Sequence, residues 1–388
     1  MCGIKKILKK SIGLFMAIIP LKNKIVFESN PDMADNTYAL YIKLIEKGYN
    51  KKYKCIWLVK DVKKNQRMCK QHNVYFQEIK PQSFIGILKR IWLIYTAKYL
   101  VSSHSYIDRK RKNQVVIALG HGTPIKSVQK YFMIGDDCDF TICPSDRLIS
   151  NFCKELNLDE RHMYIGGYPR NDLLFSSKDK LNKLVKRTNE KVIMWMPTFR
   201  QHCNRKRTDS EFDFPLVIPI IYSKEELRRF NELLVEKNIL LLLKPHPAQD
   251  ISYIKARSLT NFVVLTDKMI SDVEAQLYEI LAGVDALITD YSSVYCDYLL
   301  LDRPIAITLD DYDEYSKKNG FAYENIKEIL LGHQLYNIEQ LKKFIDDLSE
   351  GRDFYYEDRL KAKEIFNDKI SGGYSELLID KLVKEYNF

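Results

Sequence analysis

Leu287-Ile288-Thr289-Asp290-Tyr291-Ser292-Ser293-Val294-Tyr295-Cys296-Asp297-Tyr298 is the stretch that decides the fold. The apolar run at 286–288 reads as a buried strand. Val294, Tyr295, Tyr298 and Leu299 are apolar at helical spacing. Between them, Asp290-Tyr291-Ser292-Ser293 is a turn ending in two hydroxyls at a helix start. Unpaired backbone N–H groups and the positive end of the helix dipole gather there. Such a start either binds phosphate or simply uses Ser292 and Ser293 as caps. Other strand-end motifs along the chain favour phosphate.

Working outward, apolar runs of four to seven residues alternate with helical patterns on both sides of this stretch. Strands are expected at 24–29, 53–59, 74–76, 97–102, 115–119 and 139–143. A second set follows at 191–195, 239–243, 262–265, 286–288 and 305–309, the last being the final strand expected. Helices are expected at 36–47, 84–95, 146–156, 225–237, 274–281, 338–348 and 376–386. This alternation argues for parallel sheets covered by helices. The glycine- and proline-bearing run Gly166-Gly167-Tyr168-Pro169-Arg170-Asn171-Asp172 marks the interdomain region. A chain of 388 residues exceeds one ordinary core, so two doubly wound domains are expected. Their ligands should lie beyond the carboxyl ends of the strands. The expected division is 1–22 as an amphipathic segment, 23–170 and 171–365 as Rossmann-like domains, and 366–388 as a helix that folds back. The polar segment 202–218 is expected to be a mobile loop.

Composition narrows the partners. Hydrophobic residues make up 46% and charged residues 29%, as in a globular protein. Lys and Arg outnumber Asp and Glu by 61 to 51, a net charge of +10. That excess suits anionic headgroups or phosphorylated substrates. No arginine-rich arm, zinc spacing or recognition motif points to nucleic acid. Eight scattered cysteines without a Cys-x-x-Cys pair suit free thiols in a reducing setting. In residues 3–22, Ile4, Ile7, Leu8, Ile12 and Phe15 share a helical face among Lys5, Lys6, Lys9 and Lys10. The run is broken by Pro20 and falls short of the ~20 apolar residues that span a bilayer. It reads as an interfacial helix on an anionic membrane or as a helix packed on the protein's own surface.

His121 follows a strand and lies between Gly120 and Gly122, which let a substrate approach closely. An imidazole there can take a proton from an attacking hydroxyl. Lys126 lies near enough in sequence to meet a phosphate. Lys244 and His246 sit two apart at a strand end with Pro245 and Pro247. Continued extension would point both the same way, as two donors for a pyrophosphate. Arg200, at the end of the 191–195 strand, would be a third. A metal site is the rival for His246, but no nearby carboxylate or cysteine completes it. His104 and His202 are read as ordinary polar residues. A P-loop and a dinucleotide fingerprint are both absent, so no cofactor is expected.

Gly120-His121-Gly122-Thr123-Pro124-Ile125-Lys126, Gly167-Tyr168-Pro169-Arg170-Asn171-Asp172, Met196-Pro197-Thr198-Phe199-Arg200, Lys244-Pro245-His246-Pro247 and Thr289-Asp290-Tyr291-Ser292-Ser293 occur in this order. The ordered set resembles the CDP-glycerol glycerophosphotransferase family of teichoic-acid synthesis, from about residue 24 to about residue 304. The resemblance implies a GT-B fold, two Rossmann-like domains facing across a cleft. It also implies a bacterial enzyme peripheral to the cytoplasmic face of the membrane and a transfer without metal. It makes His121 the base and His246 a donor to the CDP phosphates, with Ser292 and Ser293 at the pyrophosphate. Its motifs also supply Gly122, Thr123, Lys126, Arg170, Thr198, Arg200, Lys244 and Asp290 as substrate-binding candidates. The chain departs from the family where Gly120 replaces a frequent tryptophan and Lys244 a frequent arginine, a point charge instead of a fork.

The expected reaction moves glycerol phosphate from CDP-glycerol to a hydroxyl of a lipid-linked disaccharide or polymer, releasing CMP. CDP-ribitol is the alternative donor. A sugar-nucleotide glycosyltransferase would instead release UDP or GDP. A silent membrane-surface module binding anionic polymer would show salt-sensitive binding with no nucleotide preference.

Overall fold

The computed structural model describes residues 18–65, 74–104, 106–129, 134, 137–176, 179–185, 191–199, 216, 218–246, 254, 259–368 and 371–388. Arg200, the segment before residue 18 and almost all of 202–218 lie outside them. The chain divides into two units. The first comprises Met1–His121, Phe132–Asp172 and Gly372–Phe388; the second comprises Gly122–Tyr131 and Leu173–Ser371.

In the first unit the elements are β1 (Lys22–Glu28), α1 (Asp35–Glu46), β2 (Lys54–Val59), β3 (Tyr75–Glu78), α2 (Phe84–Thr96), β4 (Ala97–Ser102), β5 (Val115–Ala118), β6 (Phe140–Cys143), α3 (Ile149–Leu156) and β7 (Met163–Ile165). The strands form one parallel sheet in the order β3-β2-β1-β4-β5-β6-β7. Strand order reverses between β1 and β4, the place where doubly wound sheets open a ligand site. The strands are near-continuous apolar runs because helices cover both faces. Phe27 and Trp57 stack with centroids 5.2 Å apart, and Tyr41 of α1 meets Trp57 edge-on at 5.6 Å. Such pairs add about 0.5–1.5 kcal/mol each beyond burial.

In the second unit come α4 (Asp179–Val185), β8 (Lys191–Trp195), α5 (Lys224–Glu236), β9 (Ile239–Leu243), β10 (Phe262–Val264), α6 (Asp267–Asp272), α7 (Leu277–Leu281), β11 (Ala286–Thr289), α8 (Val294–Tyr298), β12 (Ile305–Thr308), α9 (Tyr312–Asn319), α10 (Ile326–Ile329), β13 (His333–Leu335), α11 (Ile338–Ser349) and α12 (Tyr356–Phe366). The sheet is parallel, ordered β10-β9-β8-β11-β12-β13, and reverses between β8 and β11. The deciding stretch, β11 to α8, thus sits at the reversal.

Three expectations are corrected. The strand at 305–309 is not the last, because β13 pairs beyond it; three residues carry too little pattern to be read. The helix expected at 274–281 begins only at Leu277, as α7, because Glu274 takes φ +50° in the break that separates it from α6. The helix expected at 146–156 opens with a 3-10 turn at Asp146–Leu148 before α3 begins.

The closing helix α13 (Tyr374–Tyr386) packs in the first unit, where Leu378, Ile379, Leu382 and Phe388 join the core. Its Tyr374 explains Gly167, where a Cβ would collide with that ring.

Candidate active site

At the reversal of the first sheet, β4 runs out into Ser103-His104 and β5 into Leu119-Gly120-His121. Their rings meet, with centroids 4.4 Å apart and planes tilted by 34°. The first turn of α1 closes the same edge. Thr37 Oγ1 donates to the Glu28 carbonyl at 3.0 Å, and the Thr37 N–H donates to Ser103 Oγ at 3.0 Å. The His104 N–H donates to the buried Glu28 carboxylate at 3.3 Å.

Two side chains hold the backbone at His121. Asn36 Nδ2 donates to the Gly120 carbonyl at 2.8 Å. Arg170 Nη1 donates to the His121 carbonyl and to Asp35 Oδ1, each at 2.8 Å. The Arg170 N–H also donates to Asn36 Oδ1 at 3.1 Å. Gly120 takes φ +67° and Gly122 φ +128°, so glycines bracket the histidine because the bend needs them. Asp35 itself takes φ +63°, an uncommon conformation that Asp tolerates by bonding locally, here from the Asn36 N–H.

The His121 side chain keeps exposed surface, while the protein mass around the ring pushes its pKa below the usual histidine value. Burial is the first cause, and the His104 and Arg170 charges push the same way, against Asp35 and a hydrogen bond to the Ser103 backbone. His104 is also lowered, first by burial, then by Lys60 and Arg170 against Asp35. Both rings are therefore neutral at pH 7.

A cavity of about 260 Å³ lies at the same sheet edge, lined among others by Glu28, Leu58, Arg90, Ile94, Tyr106 and Ile107. It lies against α2, whose outer surface is apolar. Phe84, Ile85, Ile87, Leu88 and Trp92 are exposed, Phe84 by 70%. Ser83 caps this helix by accepting from the Gly86 N–H. The Lys22 ammonium lies 5.4 Å from the Trp92 ring.

In the second unit the reversal brings Thr198 to Asp290. Fully buried Asp290 accepts from both the N–H and the hydroxyl of Thr198. The Met196 N–H donates to Ile288 and the Thr289 hydroxyl to Met196, locking the two strand exits together. Lys244 extends β9 by donating its N–H to Trp195. Its ammonium pairs with Asp267 at 2.9 Å and is almost buried, whereas His246 is exposed with its ring 5.4 Å from Phe199. No strand continues from Lys244 to His246, so the shared direction expected of the two has no strand to enforce it.

Ser292 and Ser293 are partly exposed, and the Ser293 side chain makes no capping bond. The helix they precede is short, five residues followed by a 3-10 turn at Leu299–Leu301. Gly122, Thr123 and Lys126 belong to this unit. Lys126 bridges Phe321, and the Ala322 N–H donates to Ile125. Thr123 is buried, and its hydroxyl has no partner among the described residues.

The sequence reading missed His104, Asp35 and Asn36. Their common signal is the strand order, which puts the exits of β1, β4 and β5 side by side.

A family model described as CDP-Glycerol:Poly(glycerophosphate) glycerophosphotransferase matches residues 14–384. The chain is 26% identical to a teichoic acid glycerol-phosphate transferase of Staphylococcus aureus, over 98% of this chain and 99% of that one. It is 26% identical to a teichoic acid ribitol-phosphate primase of Bacillus spizizenii, over 56% of this chain and 57% of that one. The solved wall teichoic acid polymerase TagF has the same fold. It superposes with a TM-score of 0.70 at 23% identity, covering 95% of this chain and 90% of that one.

Proposed function

The chain belongs to the CDP-glycerol:poly(glycerophosphate) glycerophosphotransferase family, and from that premise we propose how its residues divide the reaction. It is a GT-B enzyme of teichoic-acid synthesis that transfers glycerol phosphate from CDP-glycerol to a hydroxyl of a lipid-linked acceptor. The acceptor oxygen attacks the β-phosphorus and a new O–P bond forms. The bond from that phosphorus to the bridging oxygen breaks, and CMP leaves with the electron pair. The hydroxyl proton goes to His121.

The observation that most supports His121 as base is its restraint. Both carbonyls of Gly120-His121 are held, the ring bonds to the Ser103 backbone, and its surroundings keep it neutral. A base must be unprotonated and placed before substrate arrives. In this reading Arg170 positions the loop, and Asp290 does the same for Thr198. The donor's phosphates fall to His246, Lys244, Arg200, Thr198, Ser292 and Ser293, with Gly122, Thr123 and Lys126 as further contacts.

His121→Ala should keep CDP-glycerol binding and lose CMP release by about 10²–10⁴-fold. Near-wild-type release would remove the base. The same assay with CDP-ribitol tests the second donor, which the ribitol-phosphate primase relative favours; release of UDP or GDP would point to sugar transfer.

We place the enzyme on the cytoplasmic face of the membrane, held by an anionic surface. The exposed apolar face of α2, beside Lys22 and Lys89, supports this reading, as does the net charge of +10. No helix among the described residues is long and apolar enough to cross a membrane.

A further inference from the structure

Ile87, Arg90, Ile91 and Ile94 share one face of α2 at helical spacing, and Arg90 interrupts an otherwise apolar stripe. The stripe runs inward, from Ile87 at 42% exposed to Ile94 at 3%. Arg90 lines two hollows. The inner one is the 260 Å³ cavity, walled by Leu58, Ile91, Ile94 and Ile107. The outer one is formed with Ile79, Lys80, Pro81 and Ile87, so it adjoins the exposed apolar face of α2. The Arg90 Nε is buried with no partner among the described residues. Burial pushes this guanidinium below the usual arginine value, but an arginine stays charged at pH 7. A buried charge without a partner is costly, and its retention calls for an account. The acids nearby are engaged elsewhere. Glu28 accepts from the His104 N–H at 3.3 Å, and Asp108 pairs with Lys110 at 2.9 Å. No carboxylate lines the outer hollow among the described residues, and Lys80 adds a second, exposed cation there. Residues 1–17 carry Lys5, Lys6, Lys9 and Lys10 and no carboxylate, so the start of the chain brings no anion either.

We propose that Arg90, with Lys80, holds the phosphate that joins the acceptor's head to its lipid. The lipid chain then lies along Ile87 and the outer face of α2, and the head points past Glu28. This rests on the reading of the chain as a transferase acting on a lipid-linked acceptor. A guanidinium fork matches two phosphate oxygens, and the apolar wall beside it suits the first carbons of the chain. The inner cavity decides for the acceptor over a bulk phospholipid. It continues from Arg90 to Glu28, which the His104 backbone ties to the strand exits that carry His121. A phospholipid needs only the outer face, whereas an acceptor must reach that edge.

The test titrates the protein with decyl phosphate, decanol and inorganic phosphate by calorimetry. The wild type should bind decyl phosphate about tenfold more tightly than either of the others. Arg90→Met keeps the length of the side chain and removes the unpaired charge, so it should melt no lower than wild type. It should lose about tenfold in affinity for decyl phosphate, with decanol changed less than about twofold, and Arg90→Lys should recover part of the loss. In turnover, Arg90→Met should raise the KM for the lipid-linked acceptor by a similar factor and leave that for CDP-glycerol unchanged. Its sedimentation with anionic vesicles free of acceptor should match wild type. Unchanged affinity for decyl phosphate in Arg90→Met overturns the proposal. So does an equal loss on decanol with a lowered melting temperature, which would make the arginine structural. Vesicle binding that falls in step with the acceptor KM would assign the pocket to bulk phospholipid and overturn it too. Binding needs no turnover, which separates the two claims. If no acceptor yields CMP the transferase reading fails, while the decyl phosphate titration still reads the lipid-phosphate site.

Discussion

Arg170→Met tests whether the loop carrying His121 is held from behind. Arg170 is 5% exposed, and its Nη1 bonds Asp35 and the His121 carbonyl at 2.8 Å each. Methionine has similar length and no donor. Removing one partner of a buried ion pair costs about 3–5 kcal/mol. The Asp35 side chain is 14% exposed and keeps its bond from the Asn36 N–H, so water can reach it and about 2–3 kcal/mol is the better figure. The Arg170 N–H to Asn36 survives, and Asn36 still holds the Gly120 carbonyl. The loop is therefore loosened at one of its two anchors. A base displaced by about 1 Å loses on the order of 10²-fold in rate; one surviving anchor argues for roughly 10–100-fold in kcat, with the KM for CDP-glycerol little changed.

Stability and positioning can be separated. Trp57 and Trp92 are in the first unit and Trp195 in the second. In a Trp195→Phe background, urea unfolding followed by tryptophan fluorescence reports the first unit alone. Asp35→Asn added to Arg170→Met removes the uncompensated carboxylate and should regain about 1–2 kcal/mol. It should not regain kcat, because the His121 carbonyl still lacks its donor. A double variant that recovers both would make the rate loss a matter of stability. Wild-type kcat in Arg170→Met itself would refute the clamp.

Three further outcomes follow from particular contacts. Gly120→Ala has open space for its Cβ but must adopt φ +67°; it should destabilise by about 1–2 kcal/mol and slow CMP release, and an unchanged melting temperature would show that the loop does not need that bend. Thr198→Val deletes one of two bonds to Asp290 and keeps the N–H; it should cost about 1–2 kcal/mol and raise the KM for CDP-glycerol several-fold, measured by CMP release at saturating acceptor. Ile85→Glu with Leu88→Glu on the exposed face of α2 should abolish sedimentation with anionic vesicles while sparing the melting temperature; retained binding would move the membrane contact elsewhere.

Much of the fold was legible because both sheets are parallel and covered, so each strand is a short apolar run with a polar exit. The runs at 97–102, 191–195 and 239–243 coincide with β4, β8 and β9 to the residue. The exits were legible for the same reason, since Gly-His-Gly and Lys-Pro-His-Pro break apolar runs abruptly. What the sequence concealed was adjacency. His104 lies at the exit of β4 and looks ordinary until β4 pairs with β5, whose exit holds His121. Consecutive strands pair about two-thirds of the time, so two successive strands each ending in histidine was an available signal. Asp35 and Asn36 were harder to find, because their approach requires β1 to pair with β4 across the reversal. Helix length was misjudged where a single positive φ intervened, as at Glu274.

The two reversals handle charge differently, and the difference fits phosphoryl transfer. In the first unit Asp35 pairs with Arg170, and the adjoining imidazoles are left neutral, as proton acceptance requires. In the second, the expected helix dipole is slight, since α8 is five residues long and the dipole effect depends on aligned turns. Asp290 is fully buried, with each oxygen accepting a bond from Thr198. Positive charge at that edge must therefore come from side chains. Lys244 supplies it under restraint, because its partner Asp267 is 61% exposed and solvent-screened pairs are weak. A phosphate that displaced Asp267 would exchange a wet carboxylate for its own oxygens at little cost. The lysine is thus held in place without ligand and remains available when one arrives.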